Sequence, residues 1–447
     1  MATAIVDLRH PDDWKRRLGS KLVEPDEAVA RIKSGDRIVI SIAQATPFTL
    51  CTALAGRLME IEDVVVSHGA ALFNWDLPGL GERFRLESFY VSAVDRELYS
   101  RGDAEFVPVS YYHNGKLPPG LDNFNVSMVT VSPPDENGFV NFGDLQIMSK
   151  LLSRNADLVI AEVDPTFVRI GGDNQMHISE IDLFVERTIG FPDIPIPPTP
   201  DEEARITATV CGIVAKEMIP DRATIQIGVG SMSGMLPYHL KDHHDLGMQT
   251  EIIAWGTTDL VREGVLTGKY KKIFPGLVVG SGFAVLTPRE QLEYAHEHPS
   301  FQLYDFNFTD DVRLIAREEG LISINNALHV DVTGQANAES LGPRMFTGTG
   351  GQTAFVIGAC LGGGTTILVT PSSSVVNGER ISRIMPALAP GSVVTSPRSF
   401  VHNVVTEYGI ARLKGKSIRE RTNEMTAIAH PDFRSIIREE ARRLYGV

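Results

Sequence analysis

The stretch from Thr224 to Asp259 constrains this 447-residue chain more than any other. A β-branched run, Thr224-Ile225-Gln226-Ile227, leads into Gly228-Val229-Gly230-Ser231-Met232-Ser233-Gly234, and apolar Met235, Leu236 and Leu240 follow at helical spacing. A second apolar run is introduced by Thr250-Glu251. Strand, glycine turn, helix, strand is a layout that brings backbone N–H groups close to a ligand. Glu251 is the ionisable residue beside it. A dinucleotide-binding turn and a purely structural turn both fit the glycines. Glu251 lies 17 residues beyond Gly234, near the spacing at which the dinucleotide fingerprint carries its ribose-binding acid. One detail weighs against that reading: the fingerprint acid ends its strand, whereas the run Ile252-Ile253-Ala254 follows the glutamate.

The rest of the chain alternates strands and helices. Strands are predicted at RIVISIA, DVVVSHG, FYVSAV, VSMVTVS and ADLVIAEV, with helices at EAVARI, at PFTLCTALAGRL and near 144–154. That alternation implies an α/β fold with mainly parallel sheets. Residues 190–202, GFPDIPIPPTPDE, carry five prolines and form the clearest linker. The expected division is therefore an N-terminal α/β domain (1–190), a Pro-rich linker (191–203) and a C-terminal α/β domain (204–447). RIVISIAQATPFTLCTAL in the first half matches TIQIGVGSMSGMLPYHL in the second, and ADLVIAEVDP matches GLISINNALHVD. This pairing predicts two similar domains.

A net charge of −14 argues against nucleic acid and anionic membranes as general partners. Three scattered cysteines exclude a disulfide framework and fit a reducing compartment. The start of the chain has no apolar signal segment, and no run is long enough to span a bilayer, so a cytoplasmic protein is expected. Gly230-Ser231-Met232-Ser233-Gly234 has methionine where a nucleophile elbow needs serine, and neither HExxH nor a Walker A motif occurs. His243 and His244 read as a solvated loop, and no metal site is expected. Gly348 to Gly351 could offer backbone N–H groups to a carbonyl or phosphate, or simply turn the chain.

A set of further motifs is specific enough to carry a resemblance. Ser34-Gly35-Asp36 and Val131-Ser132-Pro133-Pro134-Asp135-Glu136-Asn137-Gly138 lie in the first half. In the second are Gly228-Val229-Gly230, Leu246-Gly247, Thr250-Glu251, Thr333-Gly334-Gln335 and Asn337-Ala338-Glu339-Ser340. Gly348-Thr349-Gly350-Gly351-Gln352, Ser382-Arg383-Ile384, Val405-Thr406-Glu407-Tyr408-Gly409, Lys414-Gly415-Lys416-Ser417 and Ile428-Ala429-His430-Pro431 complete the series. In this order and over nearly the whole length, the chain resembles the acetyl-CoA hydrolase/transferase family of class I CoA-transferases.

The resemblance implies two α/β domains with the active site in the cleft between them. It makes Glu251 the nucleophile, Gly228, Val229, Gly230, Ser231 and Met232 the CoA-binding loop, and Leu328, Gly350 and Gly351 further CoA contacts. The chain departs from the family pattern at Ala254-Trp255-Gly256, where Ser-Asp-Gly is common, and at Ala354, where an aspartate is frequent. The implied substrates are an acyl-CoA and a small carboxylic acid such as acetate, butyrate, 4-hydroxybutyrate, succinate or itaconate. No permanently bound cofactor is implied, the coenzyme A thioester being a substrate, and a homodimer is expected. A glutamate with an ordinary pKa of about 4.3 is ionised at pH 7 and needs no general base. The same residues would hydrolyse the thioester if water entered. A nicotinamide dehydrogenase and a non-catalytic acyl-CoA sensor are the competing readings.

Overall fold

Runs of Val, Ile and Met bounded by glycine and aspartate turns give this chain short strands that are apolar on both faces, which suits parallel sheets covered by helices. In the computed structural model the described residues are 13–111, 113, 116–191 and 199–447. Part of the N-terminal stretch read as lacking a signal, and residues 192–198 of the Pro-rich linker, lie outside them. The chain divides into two compact units. One holds the described residues before the Pro-rich stretch together with Gly280–Phe308. The other runs from 199 to Val279 and resumes with Thr309–Val447.

The first unit is built on β1 (Arg37–Ile40), β2 (Val64–Gly69), β3 (Phe84–Tyr90), β4 (Ala104–Phe106), β5 (Val126–Val131), β6 (Leu158–Val163) and β7 (Leu183–Glu186). Their order across the sheet is β7-β6-β5-β1-β2-β3-β4, with every neighbouring pair parallel. All residues of β2 and β5 are buried. Helix α1 (Phe48–Gly56) follows β1 after a short turn, with Pro47 as its N-cap residue. It lays Leu50, Cys51 and Leu54 on Ile38 and Ile40, all at most 2% exposed.

The second unit repeats the plan. Its sheet contains β8 (Thr224–Ile227), β9 (Gly247–Gln249), β10 (Val278–Gly280), β11 (Ile322–Asn326), β12 (Thr365–Val369), β13 (Asn403–Thr406) and β14 (Gly409–Arg412). The order is β14-β13-β12-β11-β8-β9-β10, parallel except for the β13–β14 hairpin. Helix α2 (Asp201–Met218) opens on Asp201, Glu202 and Glu203, where negative charge meets the helix dipole, and buries Val210, Cys211, Val214 and Ala215. The remaining helices that matter are α3 (Val312–Arg317), α4 (Gln352–Leu361), α5 (Ile418–Ile428) and α6 (Arg434–Tyr445). The expected α/β class with mainly parallel sheets is thus observed. Among the described residues no helix is long and apolar enough to cross a membrane.

Three local expectations change. The segment after the glycine turn is a 3-10 helix, Ser233–His239, because Pro237 sits inside it and cannot donate a backbone hydrogen bond. His243 is not merely solvated: its Nε2 lies 3.1 Å from Ala215 O and 3.0 Å from Ile219 O, so the ring donates to the last carbonyls of α2. The internal match is also shifted by one strand. By position in its sheet, β11 is the counterpart of β5, since each lies beside the strand that carries the turn, and β6 corresponds to β12.

Candidate functional site

At the carboxyl ends of β8, β9 and β11, three loops of the second unit come together around two glycines. The first loop leaves β8 at Gly228, whose N–H bonds Ile324 O of β11 at 2.8 Å. Asn326, the last residue of β11, holds this loop from the side. Its Nδ2 donates to Val229 O at 3.0 Å, and its Oδ1 accepts from Ser233 N at 3.2 Å. A Cβ at position 230 would lie 2.1 Å from Asn326 Nδ2, so glycine is needed for the clamp to close. Below it, Gln226, Ser323 and Asn325 form a buried polar triangle, with Ser323 Oγ donating to Gln226 Oε1 at 2.7 Å and Asn325 Nδ2 donating to the same oxygen at 3.0 Å.

The predicted CoA-loop residues are brought together but present themselves differently. Val229 is exposed (57%) and Ser231 is exposed, so the tip of the loop offers an apolar side chain and a hydroxyl. Met232 turns inward and is 6% exposed, with its carbonyl accepting a contact from Cys211 Sγ of α2 at 3.3 Å. Leu328 is half-buried, its N–H bonding Asn337 O at 2.8 Å while its carbonyl accepts from Arg383 Nη1 at 3.1 Å. Asn326→Ala should remove the clamp and cost about 0.5–1.5 kcal/mol in chemical unfolding, since water replaces its bond to the exposed Val229 O.

Glu251 lies just past β9, after Thr250, whose hydroxyl donates to Ile227 O at 3.2 Å. The strand of the main sheet therefore precedes the glutamate. Ile252–Ile253, read as its strand, is a separate two-residue piece. LGMQT is too short and too weakly patterned to have shown this. The argument that separated Glu251 from a ribose-binding acid by strand position thus fails, and its contacts have to decide.

Those contacts run to the second glycine cluster. Gly351 is the N-cap residue of α4, and its N–H donates to Glu251 Oε2 at 3.0 Å. A Cβ on Gly351 would fall 2.5 Å from that oxygen. The carboxylate thus sits at the amino end of a ten-residue helix with no charged side chain, where backbone donors favour an anion. Burial acts in the opposite sense and dominates: it pushes Glu251 up to about 7, and only the Gly351 N–H pulls it down. An ordinary, freely ionised glutamate was the expectation. A half-buried carboxylate held on a backbone N–H is the finding.

The Gly348–Gly351 loop is itself anchored by Glu339, 4% exposed, whose Oε2 accepts from Thr349 Oγ1 at 3.0 Å and whose carbonyl accepts from the N–H groups of Phe346 and Thr347. Ala354, one of the departures from the family pattern, packs on an apolar cluster of Ile315, Leu321, Phe355 and Ala359. An aspartate there would meet that apolar surface. Sequence reasoning passed through Gln226, Asn325, Asn326 and Glu339 within longer stretches without giving their side chains a role, and it did not reach Asp310.

Comparison with known proteins agrees with this architecture. The Acetyl-CoA hydrolase/transferase N-terminal domain matches residues 10–189, and the corresponding C-terminal domain matches residues 288–441. The chain is 31% identical over 442 residues to a 4-hydroxybutyrate coenzyme A transferase of Clostridium kluyveri, covering 97% of this chain and 100% of that protein. It is 33% identical over 436 residues to a succinyl-CoA:cyclohexane-1-carboxylate CoA transferase of Geobacter metallireducens, covering 96% and 97% of the two. The crystal structure of RipA from Yersinia pestis superposes with a TM-score of 0.87 at 31% identity, covering 97% of this chain and 100% of that one. The chain belongs to the acetyl-CoA hydrolase/transferase family and is an enzyme of the CoA-transferase kind.

Proposed function

We propose that this enzyme moves CoA from an acyl-CoA to a free short-chain or dicarboxylic acid, with Glu251 as the covalent nucleophile. The observation that carries the reading is the half-buried Glu251 carboxylate accepting the Gly351 N–H at 3.0 Å. Glu251 Oε1 attacks the thioester carbonyl, the C–S bond breaks, and an acyl-glutamyl anhydride and CoA thiolate result. The thiolate then attacks the glutamyl carbonyl carbon and expels the first carboxylate, leaving a glutamyl-CoA thioester. The second carboxylate attacks that thioester carbonyl and expels CoA thiolate to give a second mixed anhydride, and the thiolate then attacks its acyl carbonyl, forming the new acyl-CoA and freeing the Glu251 carboxylate. Thioester is traded for thioester, so no ATP enters.

The Gly351 hydrogen bond suits the second step. Oε2 is the atom that becomes the oxyanion when thiolate adds to the glutamyl carbon, and a donor already 3.0 Å from it meets the developing charge without reorganisation. The loop Gly228–Met232, with Leu328 and Gly350, is the proposed cradle for CoA, the exposed Val229 lying along its apolar part. The names of the relatives, a 4-hydroxybutyrate and a cyclohexane-1-carboxylate CoA transferase, support small carboxylic acids as the substrate class.

Incubation with an acyl-CoA in the absence of acceptor should leave a CoA adduct, seen by intact mass, on the peptide containing Glu251. No adduct, combined with full exchange activity in Glu251→Ala, would sink the reading. Because the attacking form is the ion and burial holds the carboxyl up to about 7, kcat/KM should fall as pH drops through neutrality, by up to tenfold per unit. A profile flat down to pH 5 contradicts this. Water competing with the carboxylate would give the hydrolase reading on the same residues, and comparing release of free CoA with and without acceptor measures that balance.

A further inference from the structure

Glu251 is not the only acid at Gly351. The Cβ position built on that glycine lies 2.5 Å from Glu251 Oε2 and 2.7 Å from Asp310 Oδ2, so the two carboxylates face each other across a residue that has no side chain. Asp310 is 1% exposed and immediately precedes the N-cap of α3, and its Oδ1 accepts from Thr309 Oγ1 at 3.2 Å. Helix α4 brings no charge to the pair. On the α3 side Arg313 reaches Asp311, Nη2 to Oδ2 at 3.0 Å, and the acid that anchors the glycine loop, Glu339, accepts from Thr349. Glu251 itself is flanked by Thr250 and Ile252.

Resting on the nucleophile reading above, we propose that Asp310 is a positioning residue for Glu251: the two form a carboxylate pair that carries one negative charge, with one proton retained between them, at neutral pH. Two like charges enclosed together cannot both ionise freely, and the second proton leaves the pair only at higher pH. The titration belongs to the pair, not to either residue. Asp310 touches no reacting atom in this scheme. It sets the pH at which the nucleophile becomes available, and it keeps the carboxyl of Glu251 facing the Gly351 N–H.

The test follows the rate of CoA-adduct formation on Glu251 against pH, using intact mass and an acyl-CoA without acceptor, in the full-length native enzyme, Asp310→Asn and Asp310→Glu. The limb should move down by about one pH unit or more in Asp310→Asn, which keeps the shape and removes the charge, and should stay near the native position in Asp310→Glu. An unchanged or raised limb in folded Asp310→Asn overturns the pairing while leaving the nucleophile intact. Absence of any adduct in the native enzyme removes the nucleophile and the pairing together. If Asp310→Asn does not fold, the infrared carboxyl band of the native enzyme decides. The pair should release its protons in two separate steps, one below and one above neutral pH, and a single titrating carboxylic acid overturns the pairing.

Discussion

Glu251→Gln is expected to lower CoA transfer by about 10⁴-fold or more, the scale on which removal of a covalent nucleophile acts. Glutamine keeps the length of the side chain and an oxygen that can accept the Gly351 N–H, so the site should stay assembled while losing the proposed nucleophile. The measurement is acyl-CoA exchange with a panel of carboxylates, together with intact mass for the missing adduct. Residual activity above about a tenth of native would remove Glu251 from the chemistry. The fold should not suffer. A carboxyl held up to about 7 by burial is disfavoured as the ion, so its destabilising effect begins above the unfolded value near 4.3 and is complete above about 7. Glu251→Gln should therefore melt no lower than native at pH 5, and higher than native at pH 8.

Gly351→Ala should be nearly as damaging, for a different reason. The backbone at 351 has φ −85° and ψ −2°, which alanine adopts without strain, so helix α4 should form as before. The added methyl, however, would sit 2.5 Å from Glu251 Oε2, and the carboxylate must swing away from the donor that holds it. Losing the alignment of a nucleophile together with one backbone donor points to a fall of about 10²–10³-fold in kcat. Far-UV circular dichroism should be unchanged. A kcat within threefold of native would show that the Glu251–Gly351 contact is not used in turnover.

Much of the fold was legible because parallel strands buried on both faces leave runs rich in apolar and β-branched residues, as in Val64–Gly69, Val126–Val131 and Leu158–Val163. The short strand Gly247–Gln249 was not legible. It has three residues, one a glycine, and its place in the sheet is decided by neighbours far off in sequence. The same division runs through the site. Glu251 and the two glycine loops stood out through motif and resemblance. Asp310 did not, because TDDV carries no pattern, and its place beside Gly351 is set by where α3 begins. The raised pKa was hidden for a related reason: desolvation depends on what encloses a carboxylate, and sequence spacing does not report it.

The buried triangle of Gln226, Ser323 and Asn325 bears on how this enzyme can change over evolutionary time. Each side chain satisfies the others inside the sheet, so altering one strands two polar groups away from water. Drift at these three positions should therefore be concerted, with relatives exchanging the set as a block, whereas an exposed residue such as Met59 is free to vary alone.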